Sequence, residues 1–333
     1  MPDIIRRKAD HVQLALSLDH QSSQGAGFDR MSFQHNALPE LALSSVDSST
    51  EFLGHQISAP FLIGAMTGGY AHGDKINRHL AEAAEQCSIP MALGSQRPAL
   101  EQNLSQKVRR WAPKAILLGN IGGTQLAQLG VDLAYRAVES IEANALIIHL
   151  NPLQELVQPN GDQDWRGVLD GIERCCESLP VPVIIKEVGA GISPYTAQRL
   201  VDVGVQWIDV AGRGGTRWAS IESARNNATR VQQVAEPFMD WGMDTVDLVP
   251  MVRQQCSETK LIASGGVRHG LDIACSIRLG AQMAALAQPF LQPALESTES
   301  VVNKIELLRD QLRWAMFLTG SPSLSALRSA PLQ

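Results

Sequence analysis

Residues 261–270 read LIASGGVRHG, a short apolar run followed by paired glycines and then polar residues. Seven other segments repeat this order of an apolar run, a polar or glycine-rich loop and a longer amphipathic stretch. The eight runs are PFLIGA (60–65), IPMALG (89–94), AILLGN (115–120), ALIIHL (145–150), VPVIIK (181–186), WIDVA (207–211), LIAS (261–264) and MAALA (283–287). Continuous rather than alternating hydrophobicity is typical of strands buried on both faces, so the repeat predicts a parallel sheet.

Eight parallel strands alternating with helices predict an α/β fold of the (β/α)8 TIM-barrel type. We expect the barrel to occupy residues 59–325, to follow an N-terminal extension of residues 1–58, and to include a final amphipathic helix over residues 296–318. The sixth and seventh runs are the furthest apart, so residues 218–241 are expected to form a long loop that acts as a lid or a subunit contact. An open doubly wound sheet is the alternative, but the GxGxxG turn typical of it is absent from this sequence.

Composition excludes several classes of protein. Of the 333 residues, 44% are hydrophobic, and no apolar run is long enough for a membrane span. The 28 Lys and Arg against 34 Asp and Glu give a net charge of −6, which argues against nucleic-acid binding, so any anionic ligand must be bound by local cations. The N-terminus has no signal-peptide pattern, which favours a cytoplasmic protein. Five cysteines without CxxC spacing indicate neither a disulfide framework nor a zinc site.

The loop SGGVR at residues 264–268 is the strongest candidate for a binding site. In a barrel, functional groups lie at the carboxyl ends of the strands. Paired glycines let backbone N–H groups approach a phosphate, and a helix that starts near Arg268 directs its positive dipole end at the same place. A plain glycine-rich turn is the alternative interpretation.

Lys186 ends the apolar run VPVIIK, where a buried ammonium needs an anionic partner. Glu187 is one candidate, as a structural ion pair. The other candidate is the anionic edge of a cofactor, such as a reduced flavin. The residue types and spacing leave both alternatives open.

Four polar residues, His149, Asn151, Gln154 and Glu155, follow the fourth run in the string HLNPLQE. An imidazole can act as an acid or base, and a carboxylate at this position can hold Mg²⁺ together with substrate phosphates. A hydrogen-bonded core histidine and a helix-capping glutamate are the structural alternatives.

A small basic cluster precedes the barrel, formed by Arg6, Arg7, Lys8 and His11. Such runs are most often solvated surface. Arg97 is a second cation at a strand end, so a tail that folds over the barrel mouth would join it in binding a diphosphate.

Taken together in chain order, the motifs resemble those of the type 2 isopentenyl diphosphate isomerases. The resemblance covers nearly the whole chain and rests on RKADH (7–11), FDRMSFQHNALPEL (28–41), MTGG (66–69), GSQR (94–97), HLNPLQE (149–155), KEVGAGIS (186–193), GRGGTRW (212–218) and SGGVRHGLD (264–272). It implies interconversion of isopentenyl and dimethylallyl diphosphate with FMN that is active when reduced, NADPH as reductant and Mg²⁺. It also implies a homo-oligomer, a tetramer or larger.

The resemblance also implies roles for individual residues. The implied catalytic residues are Gln154, His149 and Lys186, and the implied metal ligand is Glu155. Substrate binding is implied for Arg7, Lys8, His11, Ser95, Gln96, Arg97, Asn151 and Gln154. FMN contacts are implied for Ala65, Met66, Thr67, Ser95, Asn120, Lys186, Thr216, Gly265, Gly266, Val267, Arg268, Leu286 and Ala287. The family often has Ser at the position of Ala211 and a neutral residue at Arg213, so no side-chain role is expected for Ala211.

Three other functions compete with this interpretation. An FMN-dependent 2-hydroxy-acid oxidase shares SGGVR but needs a histidine base after the sixth strand, and GRGGTRW contains no histidine. A nucleotide dehydrogenase of the inosine-monophosphate type needs a nucleophilic cysteine in a mouth loop, and the five cysteines fall elsewhere. A non-catalytic flavin-binding barrel is the third alternative.

Overall fold

The computed structural model describes residues 10–66 and 73–333. Ten strands lie in this part of the chain: β1 Thr50–Phe52, β2 His55–Ile57, β3 Phe61–Ile63, β4 Met91–Ala92, β5 Leu117–Gly122, β6 Ala145–His149, β7 Val183–Lys186, β8 Trp207–Asp209, β9 Lys260–Ala263 and β10 Met283–Leu286. Strands β3 to β10 close into a parallel barrel in chain order. Each overlaps one of the eight apolar runs, so the predicted TIM-barrel fold is confirmed.

The helices alternate with the barrel strands. They are α1 (residues 10–16), α2 Gly73–Cys87, α3 Arg97–Glu101, α4 Val108–Trp111, α5 Gly123–Leu129, α6 Val131–Glu139, α7 Pro152–Val157, α8 Val168–Ser178, α9 Pro194–Asp202, α10 Trp218–Arg225, α11 Thr229–Ala235, α12 Thr245–Gln255, α13 Gly270–Arg278, α14 Gln288–Glu296, α15 Thr298–Leu318 and α16 Leu324–Leu327. The predicted last helix is α15, which begins two residues later than expected because Ser297 caps it by accepting the Ser300 N–H. Within the described residues, no helix is long and apolar enough to cross a membrane.

The insertion after β8 corrects one expectation. Residues 218–241 were expected to form a long loop, but they fold as α10, α11 and a short 3-10 helix, Glu236–Phe238. Asn226 joins the two helices, because its side chain donates to the Val157 carbonyl and accepts the Ala228 N–H. The polar stretch that resembled a loop is therefore a capped connection between helices that pack on α7.

Successive side chains of a strand point to opposite faces of the sheet. Those that point outward pack against the helices and form an outer shell, and those that point into the barrel form what we call the inner plug. The inner plug is apolar and includes Leu118, Ile147, Ile184, Trp207 and Ile262. The hairpin formed by β1 and β2, which the sequence reasoning missed, covers the amino-terminal end of this plug. There the Phe52 ring meets Trp207 edge-to-face, with centroids 4.9 Å apart.

Two residues further along the same strands, the inward positions become polar. They are Asn120, His149, Lys186, Asp209 and Ser264. This polar layer lies on the apolar plug at the carboxyl end of the barrel, where barrel proteins carry their functional groups.

Candidate active site

Two adjoining cavities open at the carboxyl end of the barrel. The inner cavity is lined by Gly64, Gly265, Gly266, Arg268 and Ala287 among others. The polar cavity is lined by Ser95, Arg97, His149, Gln154 and Glu155 among others. The two share the lining residues His11, Ala65, Met66, Lys186, Val188 and Trp218. A ligand in one cavity would therefore lie against a ligand in the other.

The glycine loop after β9 is packed so closely that side chains are excluded. Gly265 and Gly266 have φ of +90° and +82°, in the left-handed region that favours glycine. A Cβ on Gly266 would lie 2.5 Å from the Gly214 carbonyl oxygen. Helix α13 begins just beyond the loop, and Asp272 accepts the Arg268 N–H at 2.9 Å. The loop thus has the close backbone packing and adjacent helix N-terminus of a phosphate site.

The Asn120 side chain links the end of its own strand to the ends of the two neighbouring strands. Its side-chain oxygen contacts His149 Nδ1 at 2.8 Å, and its amide donates to the Leu93 carbonyl at 2.9 Å. The partly exposed His149 lines the polar cavity. The His149 imidazole is therefore hydrogen-bonded within the barrel, as one alternative expected, and it also lines the polar cavity, as the other expected.

Lys186 lies at the junction of the two cavities. Its Nζ donates to the backbone carbonyl of Glu187 at 2.5 Å. The Glu187 carboxylate bonds instead to the backbone of its own loop, accepting the N–H groups of residues 188–191 at 2.5–3.0 Å. Burial raises the pKa of the Glu187 carboxyl, and these backbone donors oppose the shift. The expected alternative of a direct Lys186–Glu187 ion pair is thus not what the side chains form.

Helix α7 brings the predicted metal ligand to the polar cavity. The buried Glu155 carboxylate accepts from the Asn151 amide at 2.9 Å, the Gln158 amide at 3.2 Å and the Asp162 backbone N–H at 2.8 Å. Residues 158–162 fold back tightly on the helix, since a Cβ on Gly161 would lie 2.0 Å from the Glu155 carbonyl oxygen. The donors to this carboxylate are neutral, which leaves its negative charge for a cation.

The residues that follow β4 have different roles. Arg97 lines the polar cavity and is paired with Glu101 at 2.7 Å and with Asp162 at 3.6 Å. Gln96 is buried, and its amide bonds to the Ala137 carbonyl and the Asn120 N–H rather than entering either cavity. The side chain of Gln96 thus holds β4 against β5 and α6.

A buried network joins the N-terminal extension to the insertion. Glu222 of α10 is fully buried and accepts from His11 Nε2 at 2.7 Å, from Arg225 at 2.7 Å and from the Gln154 amide at 3.3 Å. Burial acts to raise the pKa of Glu222, but the hydrogen bond and charge of His11, together with Arg225, outweigh it and lower the pKa. Asp10 completes the network by accepting from Arg225 at 3.1 Å.

The sequence reasoning missed Glu222 because it lies in the segment interpreted as a loop. It also assigned no role to Trp218, whose ring meets His11 edge-to-face with centroids 5.3 Å apart and lines both cavities. The sequence signal that could have indicated a role for Trp218 and Glu222 was their spacing of one helical turn just after the motif GRGGTR.

The other predicted residues fall into four groups. Arg7, Lys8 and Thr67 lie outside the described residues. Ser95, Asn120 and Asn151 line the polar cavity. Leu286 packs its side chain in the outer shell. The inner cavity is lined by Ala65, Met66, Thr216, Val267, Ala287 and the glycine loop with Arg268.

Comparison with known proteins identifies the same barrel. The model of the FMN-dependent dehydrogenase family matches residues 17–118 and 148–333. Isopentenyl-diphosphate delta-isomerase of Stutzerimonas stutzeri is 51% identical over 99% of this chain and 97% of its own, and that of Nostoc sp. is 43% identical over 97% and 93%. The flavin-binding domain of baker's yeast flavocytochrome b2 superposes with a TM-score of 0.74 at 19% identity, over 98% of this chain and 82% of its own. At that identity the structural likeness shows the fold alone.

Proposed function

We propose that this chain, which belongs to the isopentenyl-diphosphate delta-isomerase family and to the wider family of FMN-dependent dehydrogenases, interconverts isopentenyl and dimethylallyl diphosphate with FMN as cofactor. The observation that carries the proposal is the junction of the two cavities. A glycine-lined cavity suited to a flavin phosphate meets a polar cavity with a cation and a carboxylate suited to a diphosphate and its metal. Lys186, Val188 and Trp218 lie in both.

The inner cavity fits FMN in the chemistry of its walls. Gly265 and Gly266 offer backbone N–H groups for the phosphate, and Arg268 offers its guanidinium. Arg268 also lines a neighbouring pocket together with Ser22 and Arg217, where the Ser22 hydroxyl and Arg217 Nε are buried without a hydrogen-bond partner among the described residues. Lys186 supplies a cation for the electron-rich edge of a reduced flavin ring.

The polar cavity fits Mg²⁺ only together with a phosphorylated substrate. Within the described residues, no group of three or more Asp, Glu, His or Cys side chains is arranged to hold a metal. Glu155 alone faces the cavity with neutral donors around it. Mg²⁺ is commonly bound by one or two carboxylates plus substrate phosphates, so Glu155 is the proposed protein ligand.

The isomerisation adds a proton at one carbon of an alkene and removes one from another, without net electron transfer. Reduced FMN, when bound, supplies a proton-carrying N5, and we propose NADPH as the reductant that keeps it in this form. The protein orients the reactants: Arg97 and the basic tail with Arg7 and Lys8 bind the diphosphate, and Glu222 and Asn151 orient the Gln154 amide. Trp218, Met66 and Val188 form the apolar walls that exclude water.

An anaerobic assay tests the proposal. The protein is mixed with isopentenyl diphosphate, FMN, NADPH and Mg²⁺, each cofactor is omitted in turn, and dimethylallyl diphosphate is measured. We expect product only when reduced FMN and Mg²⁺ are present. Consumption of a 2-hydroxy acid with release of peroxide, or a protein that binds FMN and converts nothing, would contradict the assignment.

A matched pair of variants locates the reaction in the junction. Gln154→Asn withdraws the amide from the cavity, so turnover should be lost while FMN binding is retained. Gln198→Asn is the control, because Gln198 lies on the outer helix α9 and bonds to Asp202 on the surface. Equal rates for the two variants would show that Gln154 has no part in the reaction.

We also propose a cytoplasmic homo-oligomer. The insertion carries Trp241, 61% exposed, next to Phe238, 38% exposed, and such aromatic side chains are typical of subunit contacts. Light scattering of the purified protein tests this proposal, and a monomer at micromolar concentration would refute it.

A further inference from the structure

Three neighbouring strands end in titratable side chains at one level of the barrel. His149 of β6 is in register with Lys186 of β7, and Lys186 is in register with Asp209 of β8. Residues in register on adjacent parallel strands project to the same face, and all three belong to the polar layer above the apolar plug. Asp209 is the one member of this row to which no role has yet been assigned.

Asp209 contacts the wall of the inner cavity without lining it. Its side chain is buried, with 3% exposed. Its Oδ1 accepts the Ser264 hydroxyl at 2.5 Å and the Ala211 N–H at 3.2 Å. Ser264, Ala211 and Lys186 all line the inner cavity. The carboxylate therefore lies one layer behind the groups that would face a bound flavin.

Two buried carboxylates, those of Glu187 and Asp209, interact with the charge of Lys186. The Oε2 atom of Glu187 accepts four backbone N–H groups of its own loop. Among the described residues, Asp209 accepts two hydrogen bonds, and its register with Lys186 places both side chains on the same face of the sheet. Burial raises the pKa of the Asp209 carboxyl, while the charge of Lys186 and the Ser264 hydroxyl oppose this shift. The charge of Lys186 thus favours the ionised form of the Asp209 carboxyl against the effect of burial.

We propose that Asp209 is a positioning residue that acts through Lys186 and sets how strongly bound FMN is stabilised in its reduced form. The inference rests on the proposed function, since it assumes that FMN occupies the inner cavity. Two-electron reduction near neutral pH places negative charge on the flavin ring, which a cation stabilises. Asp209 neutralises part of the Lys186 charge and so keeps the reduced flavin from being stabilised too strongly.

The central variant is Asp209→Asn, which has the same shape and an oxygen that still accepts from Ser264 and Ala211. Only the charge is lost. FMN bound to the variant and to the natural protein is titrated anaerobically against a reference dye. We expect the equilibrium to shift at least tenfold towards reduced FMN, about 30 mV for a two-electron couple.

A second background tests whether Asp209 acts through Lys186. In Lys186→Met, the buried Asp209 has no cation beside it and takes up a proton, so adding Asp209→Asn should leave the potential unchanged. An equal shift in both backgrounds would mean that Asp209 acts on the flavin directly, which overturns the proposal. No shift in the natural background overturns it as well.

Ser264→Ala keeps the test decisive if Asp209→Asn does not fold. This variant removes one donor to the carboxylate, weakens its ionised form, and should shift the equilibrium in the same direction by a smaller factor. An unchanged potential would then refute the inference. Failure of the natural protein to bind FMN would refute the proposed function instead, so the two failures are distinguishable.

Discussion

Removing the charge of Glu222 should destabilise the protein far more than removing a matched charge on the surface. Glu222 has no exposed surface and accepts from Arg225 three residues along α10, as well as from His11 and Gln154. Glu306 forms the same kind of pair with Arg309 along α15, at 2.9 Å, but its side chain is 49% exposed. Glu306→Gln is therefore the control for Glu222→Gln.

The expected difference follows from burial. Deleting one partner of a buried ion pair costs about 3–5 kcal/mol, and glutamine keeps the shape and part of the hydrogen bonding, which places Glu222→Gln at about 3 kcal/mol. An exposed pair contributes under about 1 kcal/mol. With an unfolding entropy of roughly 0.7 kcal/mol/K for a chain of this length, the Tm should fall by about 4 °C for Glu222→Gln and by about 1 °C or less for Glu306→Gln.

The pH dependence gives a second readout. Because the folded protein lowers the pKa of Glu222, its ionised form contributes stability above the ordinary glutamate value of 4.5. That contribution is lost as pH falls through the lower, folded pKa. The gap in Tm between the natural protein and Glu222→Gln should thus narrow as the pH falls below the ordinary glutamate value. Equal Tm values for the two variants, or a gap that widens in acid, would refute the reasoning.

Three further substitutions address the two cavities. Gly266→Ala should abolish FMN retention, measured by absorbance after gel filtration, because the added Cβ meets the Gly214 carbonyl. Gly54→Ala is the control, since Gly54 has φ +78° but lies in open space. This variant should keep FMN and lose only about 1 kcal/mol of stability. Glu155→Gln should raise the Mg²⁺ concentration for half-maximal rate at least tenfold without changing FMN content; an unchanged requirement would assign the metal elsewhere. Asp162→Asn should lower the KM for isopentenyl diphosphate about threefold at constant kcat, because the Asp162 carboxylate competes with the substrate diphosphate for Arg97. A raised KM would contradict this account.

The barrel was predictable from the sequence because its signal is local and repeated. Each strand is buried on both faces, so each appears as a continuous apolar run whatever its neighbours are. The β1–β2 hairpin was not predictable in the same way, since each of its strands has only one buried residue and so neither is a continuous apolar run. Its turn signal is also weak: Leu53 and Gly54 both adopt positive φ, yet only the glycine favours it.

The residues of the candidate site also differ in how far they could be predicted from the sequence. Residues on strand ends and motif loops, such as Lys186 and Arg268, line the inner cavity, and their position at that end could be predicted because the barrel fixes where strands end. Glu222 was missed because its role depends on His11, more than two hundred residues away, and no local pattern encodes that contact. Gln96 shows the converse, since adjacency to Arg97 in the sequence does not make its side chain face the same cavity.

The loop after β8 explains how an oxidase-like barrel is suited to a redox-neutral reaction. Residues 212–216 contain no histidine, and Arg213 turns outward to pair with Asp244 at 2.7 Å. Gly214 and Gly215 pack against the glycine loop of residues 265–266, so this loop supports the inner cavity and offers no base to it. Trp218 closes the junction beside it, and Glu222 orients the uncharged Gln154 amide there. Proton transfer on an alkene needs no such base from the protein when the flavin supplies the proton-carrying group.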